Sequence, residues 1–294
     1  MRKLKARHSL SHDKKIFDQI DFSKFQFSPR DDRDYTEEIA CADIYEEVLP
    51  DEYIAPKTKV LNQNAIGSCV SHAIATALAQ AYQKIHNVVL EFSRGFIYGN
   101  REEDQYQGEG MRTREALHQV NHYGDCLYED FPYNETYPNV KKRIEADKEN
   151  LFAKALPYKI ENYYHCANIN EIKRAVYRTG EVVIAIRVYE DFSRDLHKSK
   201  SIVARGGHAM CIVGWTKDNR WIVQNSWGTV WGYSGFLYMD FDYPLQEAFA
   251  ININQTLPQP TPTPTPTPKP HWLEGVVEAL KQIILAIINI FKKK

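Results

Sequence analysis

The sequence predicts an α+β protein with two lobes, because helical periodicity dominates its first half and β-rich runs dominate its second half. The chain has 294 residues, of which 43% are hydrophobic, and this is enough for one large core. The change of pattern falls near residue 157. A proline-rich linker and a C-terminal amphipathic helix are predicted after the second lobe.

Residues 1–50 are charged and contain few apolar residues at a regular period. The stretch "SPRDDRDYTEE" at 28–38 is typical of a solvated connector. We therefore expect an N-terminal extension rather than an inhibitory prodomain, and we expect activity without its removal. The N-terminus is basic but no apolar run follows it, so no secretory signal is predicted and a cytoplasmic location is expected.

The first helix of the body is predicted directly after Ser68. Its hydroxyl is placed to accept from the free amides of the first turn. Apolar residues then recur at steps of three and four, which is the helical period; they are Ala73, Ile74, Ala77, Leu78, Ala81, Tyr82 and Ile85. Further helices are predicted over 111–122 and 137–154.

The second half alternates one helix with several strands. A helix is predicted over 169–180, where Gly180 is a suitable residue to end it. Four runs rich in β-branched and aromatic residues follow, and they predict strands: 181–189, 208–215, 220–227 and 235–241.

The stretch "PQPTPTPTPTPKP" at 258–270 cannot form helix or central strand, because proline lacks the amide donor. It predicts an extended polyproline II spacer within a linker over 256–270. Residues 271–294 predict a helix with one broad apolar face, which must be buried somewhere. A membrane surface, self-association and a partner protein are all compatible with it. A spanning helix is disfavoured because Glu274, Glu278 and Lys281 interrupt the apolar run.

Charge and cysteine content exclude several classes of function. The net charge of −1 gives no electrostatic basis for nucleic-acid binding. Five cysteines stand far apart without any CxxC pair, which argues against a disulfide framework and a cysteine-rich zinc site. No metal and no organic cofactor is expected.

Cys69 stands where a glycine-serine turn becomes helix. The positive end of the helix dipole lowers the pKa of a thiol there and favours the thiolate nucleophile. A buried, inert cysteine is the alternative. A cysteine nucleophile needs an imidazole base and a group that orients it. His208 and Asn225 lie far downstream on successive predicted strands, in the order and approximate spacing known for one class of cysteine peptidases.

Five sequence blocks, in order, carry a resemblance that covers residues from about 30 to 250. They are "LNQNAIGSC", "LEFSRGFIYGNRE", "GDCLYEDFPY", "GGHAMCIVGW" and "QNSWGTVWGYSGFLYM". With them the chain resembles the papain-like cysteine peptidase family, and more narrowly its prokaryotic-type branch without a long propeptide. The resemblance implies a catalytic domain over 51–255, with a helical lobe and a β-barrel-like lobe on either side of a cleft.

The resemblance also implies roles for individual residues. Cys69 would attack the scissile carbonyl of a peptide or protein substrate, and His208 would take the thiol proton and form a thiolate–imidazolium pair. Asn225 would fix the imidazole tautomer, and Gln63 would donate to the oxyanion. Trp227 would shield the hydrogen bond between His208 and Asn225 from water.

The chain departs from the family pattern at two positions. Ile66 stands where the family often has a disulfide-bonded cysteine, and Val70 replaces the tryptophan that often follows the nucleophile. Gly110 and Met111, in "GEGMR", and Gly207 are expected to line the substrate cleft by resemblance.

Two further readings remain open. The same residues would serve an acyl-transferring ligase or transpeptidase, in which an amine replaces water as the acceptor. A non-catalytic scaffold that acts through its C-terminal helix is the other, although it has no chemical need for the complete set of site residues.

Overall fold

The computed structural model describes the chain up to Leu257, with gaps. The described residues are 4–29, 31, 34–41, 48–101, 109–133, 137–198 and 200–257. The chain divides after Leu257, and the predicted polyproline spacer and C-terminal helix lie outside the described residues. The described N-terminal residues belong to the same unit as the body.

The helices occupy the N-terminal segment and most of the first lobe. They are α1 (Leu10–Phe17), α2 (Glu37–Ala40), α3 (Cys69–His86), α4 (Arg94–Gly99), α5 (Thr113–Tyr123), α6 (Tyr137–Ala146), α7 (Lys148–Ala155) and α8 (Ile169–Thr179). Helix α3 is the centre of the helical lobe. Its first fourteen residues, 69–82, are all buried, so it is a core helix rather than a surface one.

The strands form one sheet in the second lobe. They are β1 (Tyr53–Ile54), β2 (Ile160–His165), β3 (Val182–Tyr189), β4 (Asp195–Leu196), β5 (Ala204–Trp215), β6 (Arg220–Gln224), β7 (Phe236–Asp240) and β8 (Leu245–Ile253). The order is β2-β8-β3-β5-β6-β7-β4, with β1 paired to β5. All pairs are antiparallel except β4 with β7.

The long strand β5 joins the two lobes. It pairs with β3 and β6 on its two sides, and its face contacts α3. The Cys211 thiol of β5 donates to the Ala73 carbonyl of α3 at 3.0 Å. The start of α3 and the middle of β5 are thereby held in fixed relation, and this relation positions the candidate site.

The α+β prediction is confirmed, with local corrections. The helix expected over 137–154 is interrupted at Asp147. Ser68 precedes α3 as expected, but its side chain makes no capping bond. Its backbone (φ −112°, ψ 24°) is not the extended conformation in which a cap hydroxyl reaches the first-turn amides. Gly180 ends α8 in the left-handed conformation, as predicted (φ 93°).

The N-terminal segment contains more structure than its charge suggests. Helix α1 begins after Ser9, whose side chain accepts from the amide of His12, and a short 3-10 turn follows at Phe22–Lys24. Phe17, Ile20 and Phe22 are buried in the same apolar cluster as β3 and β5. We call residues 9–29 the N-terminal strap. Within the described residues, no helix has the length and apolarity required to cross a bilayer.

Candidate active site

Cys69 is the first residue of α3, and its thiol is held by backbone amides. The amides of Ala209 and Val70 point at the sulfur, which favours the thiolate. Burial outweighs them and raises the pKa of the Cys69 thiol to about 11. The Val70 amide at the helix start acts in the expected direction, but desolvation is the larger effect and the net shift of the thiol pKa is upward.

His208 lies on β5, opposite Ile186 of β3. Its Nε2 atom is 2.8 Å from Oδ1 of Asn225. The backbone amide of Ser226 donates to the same Oδ1 atom at 2.8 Å, which identifies that atom as the acceptor. Nε2 of His208 therefore carries the proton and donates, and Nδ1 is left as the basic nitrogen. Ala209, the residue after His208, supplies the amide at the Cys69 sulfur.

Burial also acts on the imidazole. It lowers the pKa of His208 to about 4, while the hydrogen bond from the ring to Asn225 acts weakly in the opposite direction. The same cause therefore raises the thiol pKa and lowers the imidazole pKa. In this covered state the neutral thiol and neutral imidazole are favoured over the predicted thiolate–imidazolium pair.

Trp227 covers the imidazole, as the sequence predicted for its position. The two rings stack with centroids 5.0 Å apart. Trp231 meets Trp227 edge to face at 4.8 Å and lies in the core. Phe192 contacts the rings of both tryptophans and of His208. An aromatic box therefore holds the imidazole and excludes water from the Asn225 bond.

Gln63 lies beside the site, and hydrogen bonds hold its side-chain amide in one orientation. Its Oε1 atom accepts from the Ser226 hydroxyl at 2.6 Å, and its Nε2 atom donates to the Ile66 carbonyl at 3.0 Å. The backbone amide of Gln63 also donates to the Ser226 carbonyl. These bonds fix which end of the amide is the donor and leave one N–H of Nε2 for another acceptor.

His72 could be mistaken for the base, because it lies one turn after Cys69. Its Nδ1 atom is 2.8 Å from the Ser68 carbonyl within α3. Burial lowers the pKa of His72 to about 3. The hydrogen bond to Asn225 is made by His208, so the structure gives His72 no orienting partner of that kind.

The strap lies directly over the site. The Phe22 ring meets the His208 ring edge to face at 5.8 Å and the Trp227 ring at 5.9 Å. The Phe17 ring stacks on Phe192 at 5.8 Å. The strap thus completes the aromatic box from outside over His208, which is 1% exposed.

Glycines on both walls of the cleft are in contact with the strap. A Cβ atom at Gly110 would overlap the Lys24 carbonyl, and one at Gly207 would overlap the Phe25 ring. Gly110 and Gly207 were both expected to line the cleft, and the strap is what they meet there. Met111, the third such residue, is 1% exposed and belongs to the core.

Ion pairs and hydrogen bonds anchor the strap at each end. Near α1, the Arg194 guanidinium lies 2.7 Å from the buried Asp13 carboxylate. Near the other end, the amide of Ser28 donates to Glu247, and the amide of Arg114 donates to the Ser28 hydroxyl at 3.1 Å. The connector that follows is held as well, since Nε of Arg114 donates to Asp34 at 2.7 Å.

The N-terminal extension predicted over residues 1–50 therefore contains an ordered segment, residues 9–29, that lies over the candidate site, which its charge does not indicate. The reason is the aromatic content of "IFDQIDFSKFQF" at 16–27. Its apolar residues do not follow one helical period, and for this reason the pattern was missed. Their spacing follows the contour of the cleft instead, and a search for helical periodicity in the sequence does not detect such spacing.

No metal-binding group is found among the described residues. All five cysteines are free thiols. The site therefore consists of Cys69, His208, Asn225 and Gln63, with Trp227 over the imidazole.

Comparisons with known proteins agree with the geometry. The family model described as papain family cysteine protease matches residues 51–255. An uncharacterized peptidase C1-like protein of Acanthamoeba polyphaga mimivirus is 34% identical over 207 residues, which are 65% of this chain and 67% of that protein. A gut-specific cysteine proteinase of Caenorhabditis elegans is 32% identical over 38% of this chain and 35% of its own length.

Solved structures show the same fold. Xylellain, a cysteine protease from Xylella fastidiosa, has a TM-score of 0.66 at 24% identity, over 80% of this chain and 97% of that one. Procathepsin B from Trypanosoma congolense has a TM-score of 0.63 at 19% identity, over 83% and 89%. At these identities the likeness concerns the fold alone.

Proposed function

Because the chain belongs to the papain family of cysteine proteases, we propose that it hydrolyses peptide bonds through a thioester formed on Cys69. Among the curated relatives, the alignment spans 67% of the mimivirus protein and 35% of the nematode proteinase. The activity of the whole chain is therefore a proposal, which rests on the family and on the geometry of the site.

Acylation begins when Nδ1 of His208 takes the Cys69 proton and the thiolate sulfur attacks the scissile carbonyl carbon. The carbonyl oxygen becomes an oxyanion, to which Nε2 of Gln63 and the backbone amide of Cys69 donate. The C–N bond then breaks, and the imidazolium gives its proton to the leaving amine. The acyl group remains on the sulfur as a thioester.

Deacylation repeats these steps with water. His208 takes a proton from the water, whose oxygen attacks the thioester carbonyl. The C–S bond breaks, the carboxylic acid product leaves, and the proton returns to the sulfur. Asn225 keeps Nε2 of His208 protonated throughout, so that Nδ1 is always the nitrogen that exchanges the proton.

One observation carries this proposal. The imidazole, fixed by Asn225 at 2.8 Å, is followed immediately by Ala209, whose amide points at the Cys69 sulfur. The thiol therefore lies against β5 beside the residue that follows the base, and the His208 tautomer is the one that the mechanism needs; both support the proposal.

We propose in addition that the full-length chain is latent. The strap occupies both walls of the cleft and covers the imidazole with Phe22. A substrate cannot enter while it is bound. Burial of the thiol and the imidazole also disfavours their charged forms, which supports a resting state of the covered pair.

Intact-mass labelling with an epoxysuccinyl inhibitor tests both proposals. The full-length chain should gain one adduct slowly, and a preparation trimmed within the strap should gain the same adduct quickly. Cys69→Ala should gain none, which distinguishes Cys69 from the other four cysteines. Adducts on a different cysteine would overturn the assignment, and equal rates before and after trimming would overturn latency.

The C-terminal helix lies outside the described residues, and we propose from its sequence that it attaches the peptidase to an apolar surface. Trp272 and the terminal lysines 292–294 suit a lipid interface, whereas the seven-residue step of Leu273, Leu280 and Ile287 suits a helical bundle. Vesicle co-sedimentation and the oligomeric state of the full chain separate these surfaces. If the chain neither sediments nor associates, the proposal is wrong. A cytoplasmic location stays a prediction.

A further inference from the structure

The wall beside the nucleophile contains a carboxylate that the mechanism does not use. Oε2 of Glu109 accepts from the backbone amide of Gly67, two residues before Cys69, at 3.1 Å. Glu109 also acts electrostatically on Tyr98, and so does Cys69. The Glu109 carboxylate and the thiol are therefore both close enough to one buried tyrosine, Tyr98, to act on its charge.

This carboxylate is half-exposed and faces the space that the strap fills. A Cβ atom at Gly67 would lie 3.1 Å from Cβ of Glu109 and 3.2 Å from Cβ of Lys24. Lys24 of the strap and Glu109 of the wall thus flank the same glycine. When the strap leaves, the Lys24 position becomes available to a substrate residue, and Glu109 becomes part of its surroundings.

The charge of Glu109 is not cancelled locally. In the described part of the chain, no cation lies within ion-pair distance of it. Arg101 of the same wall is buried, lies over the Tyr98 ring at 4.6 Å and donates to the Gly110 carbonyl. The Lys24 ammonium lies 4.0 Å from Asp21 of the strap, so it leaves together with the strap.

We propose that Glu109 is a specificity-determining residue that selects a basic side chain, arginine or lysine, on the substrate residue whose carbonyl Cys69 attacks. The proposal rests on the proposed peptidase function. The side chain of that residue must lie next to the thiol, and the Gly67–Glu109 wall is the surface next to the thiol. A negative charge there stabilises a cationic side chain. A neutral side chain of the same shape would lack this attraction and would leave the carboxylate unpaired.

The test uses two peptide substrates that differ only in arginine or its neutral isostere citrulline before the scissile bond. The measured quantity is the ratio of their kcat/KM values on the full-length chain. The fraction of molecules with an open cleft cancels in this ratio, so latency does not affect it. Wild type should favour arginine by about tenfold, the effect of roughly 1.4 kcal/mol, and Glu109→Gln should bring the ratio close to one.

Glu109→Gln separates charge from structure, because its amide oxygen can still accept from Gly67. If Glu109 has a purely structural role, the substitution would lower kcat/KM equally for both substrates and leave their ratio as in wild type. That result would overturn the inference. Glu149→Gln, at an exposed position of α7, is the matched control and should keep the wild-type ratio.

A second readout needs no variant. The wild-type ratio should fall as ionic strength rises, because salt screens a half-exposed charge pair; a ratio independent of salt would contradict the proposal. Turnover with no preference for arginine overturns this inference alone. Absence of turnover in wild type, also after trimming of the strap, removes the proposed peptidase function and this inference with it.

Discussion

The two sides of the cleft are built in different ways. On the nucleophile side, the thiol stands at a helix start, held by backbone amides and flanked by glycines. On the base side, the imidazole is held by side chains, with Asn225 behind it and aromatic rings around it. The strap contacts both sides: its backbone lies against Gly110 on one side and against Gly206 on the other, where the Phe22 ring also meets His208.

This difference between the nucleophile side and the base side shows which parts of the sequence encode each half of the site. A helix start is a local event, so Cys69 is fixed by its neighbours in the sequence. The imidazole depends on a box assembled from β5, the Trp227 loop and the strap, which are distant in sequence. Substitutions on the base side should therefore separate three effects: the orientation of the imidazole, access to the cleft, and the pKa values of the thiol and imidazole.

The largest effect is expected for His208→Ala. Without the imidazole, the thiol has no acceptor for its proton, and kcat should fall by about 10⁴- to 10⁶-fold. His72→Ala is the comparison variant. Its rate is expressed per folded molecule, and active-site labelling counts those molecules. Equal losses in the two variants would mean that the base is misassigned.

Asn225→Ala should lower kcat by about 10²-fold, with a smaller effect on KM. The imidazole would remain but lose the bond that fixes its tautomer and orientation, and a small misplacement of a catalytic group has a cost of this size. Steady-state kinetics on one peptide substrate measures it. A change confined to KM would show that Asn225 acts on binding instead.

Phe22→Ala should raise the epoxide labelling rate of the full-length chain by about tenfold. The substitution removes the ring that covers His208, and truncation of a buried phenylalanine costs several kcal/mol, about 3–5 in cores. Lys15→Ala, at an exposed position of α1, should label at the wild-type rate. An unchanged rate in Phe22→Ala would show that the strap does not limit access.

The pH dependence of Cys69 alkylation should change in the same variant. Burial disfavours the charged forms, so it raises the thiol pKa to about 11 and lowers the His208 pKa to about 4. Opening the cleft reverses both directions, and the thiolate form becomes available at lower pH. The alkylation rate should therefore begin to rise at lower pH in Phe22→Ala than in wild type. Cys69→Ala serves as the blank. Identical profiles would contradict this account.

The smallest effect is expected for Asp34→Asn, in the connector. Its ion pair with Arg114 is largely buried, at 16% and 15% side-chain exposure, but the asparagine side chain keeps an oxygen that can still accept from Nε of Arg114. The labelling rate should rise by a few-fold at most. A rise larger than that of Phe22→Ala would place the main lock at the connector rather than over the imidazole.

Much of this architecture could be predicted from the sequence. The helix after Ser68 and the strand that carries His208 have strong periodic patterns, and the family resemblance is confirmed by the match over residues 51–255. Strands β2 and β8 were missed, since "IENYYH" carries too few apolar residues to predict a strand on its own. Its pairing with β8 is a tertiary effect, which local propensity cannot supply.

The covered state of the site could not be predicted. Phe22 and Phe17 are unremarkable in a charged segment, and their burial depends on rings that arrive almost two hundred residues later. The raised pKa of the Cys69 thiol follows from burial, a tertiary effect that the local argument from the helix dipole does not include. Glu109 was missed because a single glutamate in a loop has no signal until Gly67 is placed beside it.

Because the strap belongs to the chain that it blocks, dilution does not remove it. A tethered occupant acts at an effective concentration set by its tether, in the millimolar range for short connections. The closed form is therefore equally populated in a dilute assay and in a crowded cell, unlike a complex with a separate inhibitor protein. A free peptide with the sequence of the strap would have to reach about millimolar concentration to match it. The geometry of the connector, together with the intrinsic affinity of the strap for the cleft, would therefore set how firmly the proposed closed form is held.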